Sequence, residues 1–135
     1  MSEVRPILIV EDDVLIRMGL VEAMLAGGFT IEECGDGAAA MAQIEASSEL
    51  QGLITDIRLG DGPNGWEVAH QARKKFPNIA VIYVTGDSFA DWTAEGVPNS
   101  LILQKPYADA QLMTAISNLL NAAGPQSMSE NPPPE

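Results

Sequence analysis

The feature of this chain that most restricts its fold is a regular alternation of short apolar runs with amphipathic stretches. "PILIV" (6–10) is continuously apolar, as suits a strand covered on both faces. After it, Leu15, Met18, Val21, Met24 and Leu25 recur at helical spacing, and the glycines at 27–28 stop that helix. "FTIEEC" (29–34) reads as a shorter, more polar strand, and "GDG" then turns into an alanine-rich helix over 38–46. "QGLITD" (51–56) is the third strand, "GWEVAHQARKKF" (65–76) the third helix, "NIAVIYVT" (78–85) the fourth strand and "SLILQ" (100–104) the fifth. The last helix carries Leu112, Met113, Ile116, Leu119 and Leu120 on one face. Between the fourth and fifth strands, residues 86–100 show little apolar periodicity and are interrupted by Gly96 and Pro98, so the fourth helix is expected to be the weakest element. Five strands alternating with five helical segments imply βαβ units, and hence an α/β fold with a doubly wound, parallel, five-stranded sheet, (βα)5. One domain is expected over 1–122, followed by a proline-rich tail over 123–135 with little to bury and no reason to fold.

Composition narrows the partners. The formal net charge of -12 argues against nucleic acid and anionic lipid, both polyanions. "AVIYV" (80–84), among the longest apolar runs, is far too short to span a bilayer, and "MSEVRP" carries no secretion pattern. Cys34 is the single cysteine, which excludes an internal disulfide and a CxxC pair and suits a reducing compartment such as the cytoplasm. A domain that binds proteins or cations is the expectation.

In open parallel sheets, ligands bind outside the carboxyl ends of the strands. Polar clusters fall at those ends: "EDD" (11–13), Asp56, "TGDS" (85–88) and Lys105. Glu11, Asp12 and Asp56 packed together would repel, by about 4 kcal/mol for two charges ~4 Å apart at an effective dielectric near 20. A hard divalent cation relieves that repulsion, and an oxygen-only donor set favours Mg²⁺ or Mn²⁺ over zinc. Lys105 adds an ammonium and Thr85 a hydroxyl, which together with the metal make a cradle for a phosphoryl group in transfer. Asp56 is the central candidate nucleophile, because the third strand should lie between the first and the fourth.

The acidic pair in "IVEDD", the lone aspartate in "LITDIRL", the threonine in "VIYVTG" and the "KP" in "LILQKPY" resemble, in order and spacing, the receiver domain of bacterial two-component response regulators. The resemblance covers residues 5–122. It implies a CheY-like, flavodoxin-like fold with strand order 2-1-3-4-5. It also implies phosphorylation of Asp56, Mg²⁺ held by Glu11, Asp12, Asp56 and the backbone carbonyl of Arg58, and contact of Thr85 and Lys105 with the phosphoryl oxygens. A cis bond at Lys105–Pro106 and a sensor histidine kinase as partner follow from the same resemblance. "TDIRLGDGPNGWEVA" and "VTGDSFADWTAEGVPNS" look most like the stand-alone receivers of alphaproteobacteria. Such a domain signals through protein contacts or acts as a phosphate sink, and catalyses only its own phosphorylation and dephosphorylation. Three positions depart from the family: Gly60 stands where a proline is usual, the loop to Gly65 is one residue longer, and Ile102 replaces the switching Tyr or Phe.

Asp13 reads as the N-cap of the first helix. His70, Lys74 and Lys75 read as solvated surface. Trp66 and Trp92 read as packing residues, with Trp92 also a candidate for a partner surface. Residues 56–67 have the length of a calcium loop, but Asp61 stands where that loop needs glycine, and no Gly-Lys-Ser/Thr follows to make a P-loop. A Mg²⁺-dependent phosphatase acting on external substrates would commonly need a second acid at position 58, where Arg58 stands. A pseudo-receiver that only binds partners would not need the full set of acids, Thr85 and Lys105.

Overall fold

The computed structural model describes residues 5–123. The strands are β1 (Ile7–Val10), β2 (Ile31–Cys34), β3 (Gly52–Asp56), β4 (Ala80–Thr85) and β5 (Leu101–Gln104). All pair in parallel in the order β2-β1-β3-β4-β5, so the (βα)5 doubly wound fold and its strand order stand as expected. The three central strands are buried along their whole length, which accounts for their unbroken apolar runs. The edge strand β2 is half-exposed and can therefore carry Glu32 and Glu33. Among the described residues no helix is long and apolar enough to cross a membrane.

Alternate residues along the strands feed two cores. Leu8, Val10, Leu53, Val81 and Tyr83 pack with Ile44 of α2 (Gly37–Ala46) and with Trp66, Ala69 and Ala72 of α3 (Gly65–Lys75). Ile7, Ile9, Ile54, Ile82 and Val84 pack with Leu20 and Met24 of α1 (Val14–Ala26) and with Leu112 and Ile116 of α5 (Asp109–Ala123). Each fully buried Leu or Ile adds about 1.5–3 kcal/mol of transfer free energy. Trp66 sits against Tyr83 with ring centroids 4.6 Å apart, the packing role expected of it.

Three expectations need correction. The apolar residues of α1 do not all form one buried stripe: Leu15 is 79% exposed, Met18 60% and Leu25 54%, while Leu20, Met24 and partly buried Val21 carry the core contact. Lys75 is not merely solvated, because its Nζ donates to the carbonyls of Ile44 (3.0 Å) and Glu45 (2.6 Å) and so satisfies the last turn of α2. His70 is likewise not merely solvated, because its Nε2 lies 2.8 Å from the Glu95 carbonyl. Trp92, partly buried on the first core with its Nε1 donating to Ser100 Oγ at 2.9 Å, is the packing residue it was expected to be. The expected tail lies outside the described residues apart from Ala123, which ends α5.

The stretch between β4 and β5 is as broken as its sequence suggests. A single 3-10 turn (Phe89–Asp91) leads into α4 (Trp92–Glu95), and Gly96 ends it. With so little internal ladder, its backbone takes partners from neighbouring elements. His70 Nε2 lies 2.8 Å from the Glu95 carbonyl, Arg73 Nη1 donates to the Pro98 carbonyl at 2.6 Å, and Val97 N–H donates to Tyr83 Oη at 3.0 Å.

Candidate functional site at the carboxyl edge of the sheet

The register levels the strand ends. Val10 pairs with Thr55, Asp56 with Val84 and Thr85 with Gln104, so the residues that follow β1, β3, β4 and β5 emerge on one rim. Glu11, Asp12 and Asp56 each offer a carboxylate oxygen there, all within 4.8 Å of one another. Glu11 is 1% exposed, Asp56 is buried and Asp12 is open to solvent.

Lys105, just beyond β5, reaches into this group. Its Nζ lies 2.9 Å from Asp56 Oδ2 and 3.3 Å from Glu11 Oε1. Partial burial works against its charge, but the hydrogen bond and charge of Asp56, then those of Glu11, outweigh that and hold the ammonium above its usual pKa. Glu11 is raised as well. Burial first, with repulsion from Asp56 adding to it, pushes its pKa up to about 7, against the opposing hydrogen bond from Asp13 N–H at 3.1 Å. One ammonium thus only partly neutralises the acids.

Local chemistry fixes each side chain. Asp13 caps α1 by accepting from Ile16 N–H at 3.0 Å, and so sets the path of the loop that carries Glu11 and Asp12. Asp56 Oδ1 accepts from Ile57 N–H at 2.7 Å. Gly65 packs against the Asp56 carbonyl so closely that any Cβ would collide with it, which binds the start of α3 to the site. Asn64 and Glu67 close a capping box on that helix. Gly60 has φ 79°, a conformation closed to the proline usual there, so the departure at that position follows from the loop's geometry.

Thr85 Oγ1 accepts from Asp87 N–H (3.2 Å) and Ser88 N–H (2.8 Å), which leaves its own proton free to donate. The Arg58 side chain is not in the acid group. Its Nε pairs instead with Asp87, and that hydrogen bond raises the Arg58 pKa and lowers that of Asp87. The Lys105–Pro106 bond is cis, as the resemblance implied. The structure therefore brings together Glu11, Asp12, Asp56 and Lys105, with Thr85 on the adjoining strand end. Sequence reasoning missed Arg17, whose Nη1 donates to the Glu11 carbonyl at 2.7 Å; only its place one turn into the helix leaving the acid loop pointed to it.

Chemically, the oxygen-only donors suit a hard divalent cation. The close approach of three carboxylate oxygens, two of them on the buried residues Glu11 and Asp56, is the observation that fits one, because a bound cation would offset their mutual repulsion.

The family model for the response regulator receiver domain matches residues 7–117. The chain belongs to the response regulator receiver family. This receiver is 27% identical over 119 residues to the response regulator receiver protein CpdR of Brucella abortus, a match covering 87% of this chain and 98% of CpdR. It is 31% identical over 120 residues to the sensor kinase CckA of the same organism, covering 84% of this chain. The receiver spans only 12% of CckA and 54% of the response regulator MprA of Mycobacterium bovis. A response regulator receiver protein from Sinorhizobium medicae has a crystal structure similar at TM-score 0.87 and 36% identity, covering 90% of this chain and 98% of that one. The Brucella and Sinorhizobium relatives agree with the alphaproteobacterial resemblance.

Proposed function

We propose that this receiver accepts a phosphoryl group on Asp56 from a sensor histidine kinase and signals by altered protein contacts, or drains phosphoryl groups from a shared kinase. The observation that carries the reading is Lys105 Nζ set between buried Asp56 and Glu11 at the carboxyl edge. In the transfer, an Asp56 carboxylate oxygen attacks phosphorus. The P–N bond of the phosphohistidine breaks as the new P–O bond forms, and the leaving imidazole nitrogen takes up a proton. Lys105 and the Thr85 hydroxyl donate to the phosphoryl oxygens. Glu11, Asp12, Asp56 and the Arg58 backbone carbonyl would hold Mg²⁺, or Mn²⁺ in its place. When bound, the cation supplies charge neutralisation among the acids and on the transferring oxygens.

The approach of a partner is supported by α1. Val14, Leu15 and Met18 are exposed beside the acid loop, next to a groove that also takes in Lys105, Pro106 and Tyr107. An apolar face at the mouth of a charged pocket suits a protein surface that brings the phosphodonor in. External phosphatase activity is disfavoured, because the position two residues after Asp56 is a cation paired with Asp87.

The test is incubation with acetyl phosphate and Mg²⁺ followed by intact mass. One added phosphoryl group is expected on the wild type and none on Asp56→Asn. A normal mass shift in that variant would move the acceptor elsewhere.

A further inference from the structure

The acid loop is held from beneath by a residue that touches none of the donor oxygens. Arg17 Nη1 donates to the backbone carbonyl of Glu11 at 2.7 Å, and its Nε donates to Glu33 Oε1 of β2 at 3.1 Å. The guanidinium therefore spans from the acid loop to the neighbouring edge strand, and its own backbone N–H is the first helical bond of α1, to the Asp13 carbonyl. Glu11 N–H donates to the Cys34 carbonyl at 3.2 Å, so both backbone groups of Glu11 are pinned on the β2 side. The guanidinium also lies along Gly35, where an added Cβ would sit 3.0 Å from Nη1, so the chain leaves room for it there.

We infer that Arg17 is a positioning residue for the divalent cation: it fixes the Glu11 backbone so that the Glu11 and Asp12 carboxylates face Asp56. The inference rests on the Mg²⁺ reading of the acid group. Its physical content is a sign. A cation anchored on Glu11 repels a second cation bound close by, so on charge alone removing Arg17 tightens Mg²⁺ binding. Loss of positioning has the opposite effect, because donors freed from their geometry must be ordered again when the metal binds. Partners that orient metal ligands from outside typically cost ten- to a hundredfold in metal affinity when removed. Positioning should win here, since Arg17 makes two directed hydrogen bonds and is mostly buried.

The experiment is calorimetric titration of the full chain with Mg²⁺ alone, for wild type, Arg17→Gln and Arg17→Lys, with folding checked by circular dichroism in EDTA. Arg17→Gln is expected to weaken Mg²⁺ binding about tenfold or more. Arg17→Lys keeps the charge and can still donate to the Glu11 carbonyl, but cannot also hold Glu33 with the same fork, and should recover part of the loss. Equal or tighter binding by Arg17→Gln overturns the inference. Should Arg17→Gln fail to fold, Arg17→Lys decides alone, and a dissociation constant equal to that of the wild type overturns it. A wild type that binds no Mg²⁺ overturns the metal reading itself, and the role of Arg17 with it.

Discussion

Arg58 Nε lies 2.8 Å from Asp87 Oδ2, which ties the loop that follows Asp56 to the loop that follows Thr85. Both side chains are largely open to solvent, so the pair adds little to stability. Its place matters more than its strength. With a phosphoryl group on Asp56, as proposed, a pair joining the loops after Asp56 and Thr85 would hinder the attacking water. The phosphorylated wild type should lose its phosphoryl group a few-fold more slowly than an Arg58→Ala, Asp87→Ala double variant, followed by intact mass against time. Equal rates would end the idea.

Buried Glu11 should give the metal-free protein an unusual pH profile. Its pKa of about 7 in the folded chain stands above the ordinary 4.5, so the folded state holds a proton that the unfolded state releases. The stability this contributes is complete below the ordinary value and is lost as pH rises through about 7. The loss is up to about 3 kcal/mol. Urea unfolding in EDTA should therefore show stability falling across that window, and Glu11→Gln should flatten the fall. Saturating Mg²⁺ should restore stability at high pH, since it binds the ionised native site and not the unfolded chain. Parallel pH profiles for wild type and Glu11→Gln would contradict the burial argument.

The exposed face of α1 can be separated from the chemistry. Leu15→Asp and Met18→Asp alter largely exposed side chains that belong to neither core, so stability should stay within about 0.5 kcal/mol. Phosphorylation by acetyl phosphate should be unchanged, because a small donor needs only the pocket. Transfer from a phosphorylated histidine kinase should fall about tenfold for the more exposed Leu15, the scale of an interface anchor. Unchanged transfer from the kinase would place its docking face elsewhere.

These contrasts show what the sequence could and could not carry. Strand identity was legible because β1, β3 and β4 are buried on both faces, and burial writes itself as unbroken apolar runs, whereas the strand order came only from the resemblance to receivers. The acid group was legible because parallel strands put their carboxyl ends on one rim. The spacing of Leu15, Met18 and Leu25 misled, because apolar recurrence marks a face without saying what covers it, and here it is Leu20, Met24 and partly buried Val21 that join the core. Lys75 on the end of α2, Arg17 on Glu11 and Arg73 on Pro98 were invisible because each joins residues brought together only by tertiary packing. The absent aromatic at position 102 has a partial answer of the same kind: Ile102 pairs with Tyr83 on β4, and it is Tyr83 that reaches the segment after α4.

That contact suggests how the site reaches the rest of the surface. Tyr83 and Thr85 lie two residues apart on one face of β4. Thr85 Oγ1 holds the amides of Asp87 and Ser88 at one end of the segment, and Tyr83 Oη holds the amide of Val97 at the other. In the proposed reaction the Thr85 hydroxyl and the amides of Gly86 and Asp87 are drawn toward the phosphoryl group, which tightens the near end. Amide exchange across 86–100 should then slow with a beryllofluoride mimic, more than elsewhere outside the acid pocket. Tyr83→Phe leaves the buried Val97 N–H without its partner, at a cost of about 1–3 kcal/mol. Exchange over 92–100 should be faster in that variant at rest and should no longer slow with the mimic, while 86–91 still responds. Exchange unchanged across the whole segment, with effects confined to the loop after Asp56, would show that the signal leaves by another face.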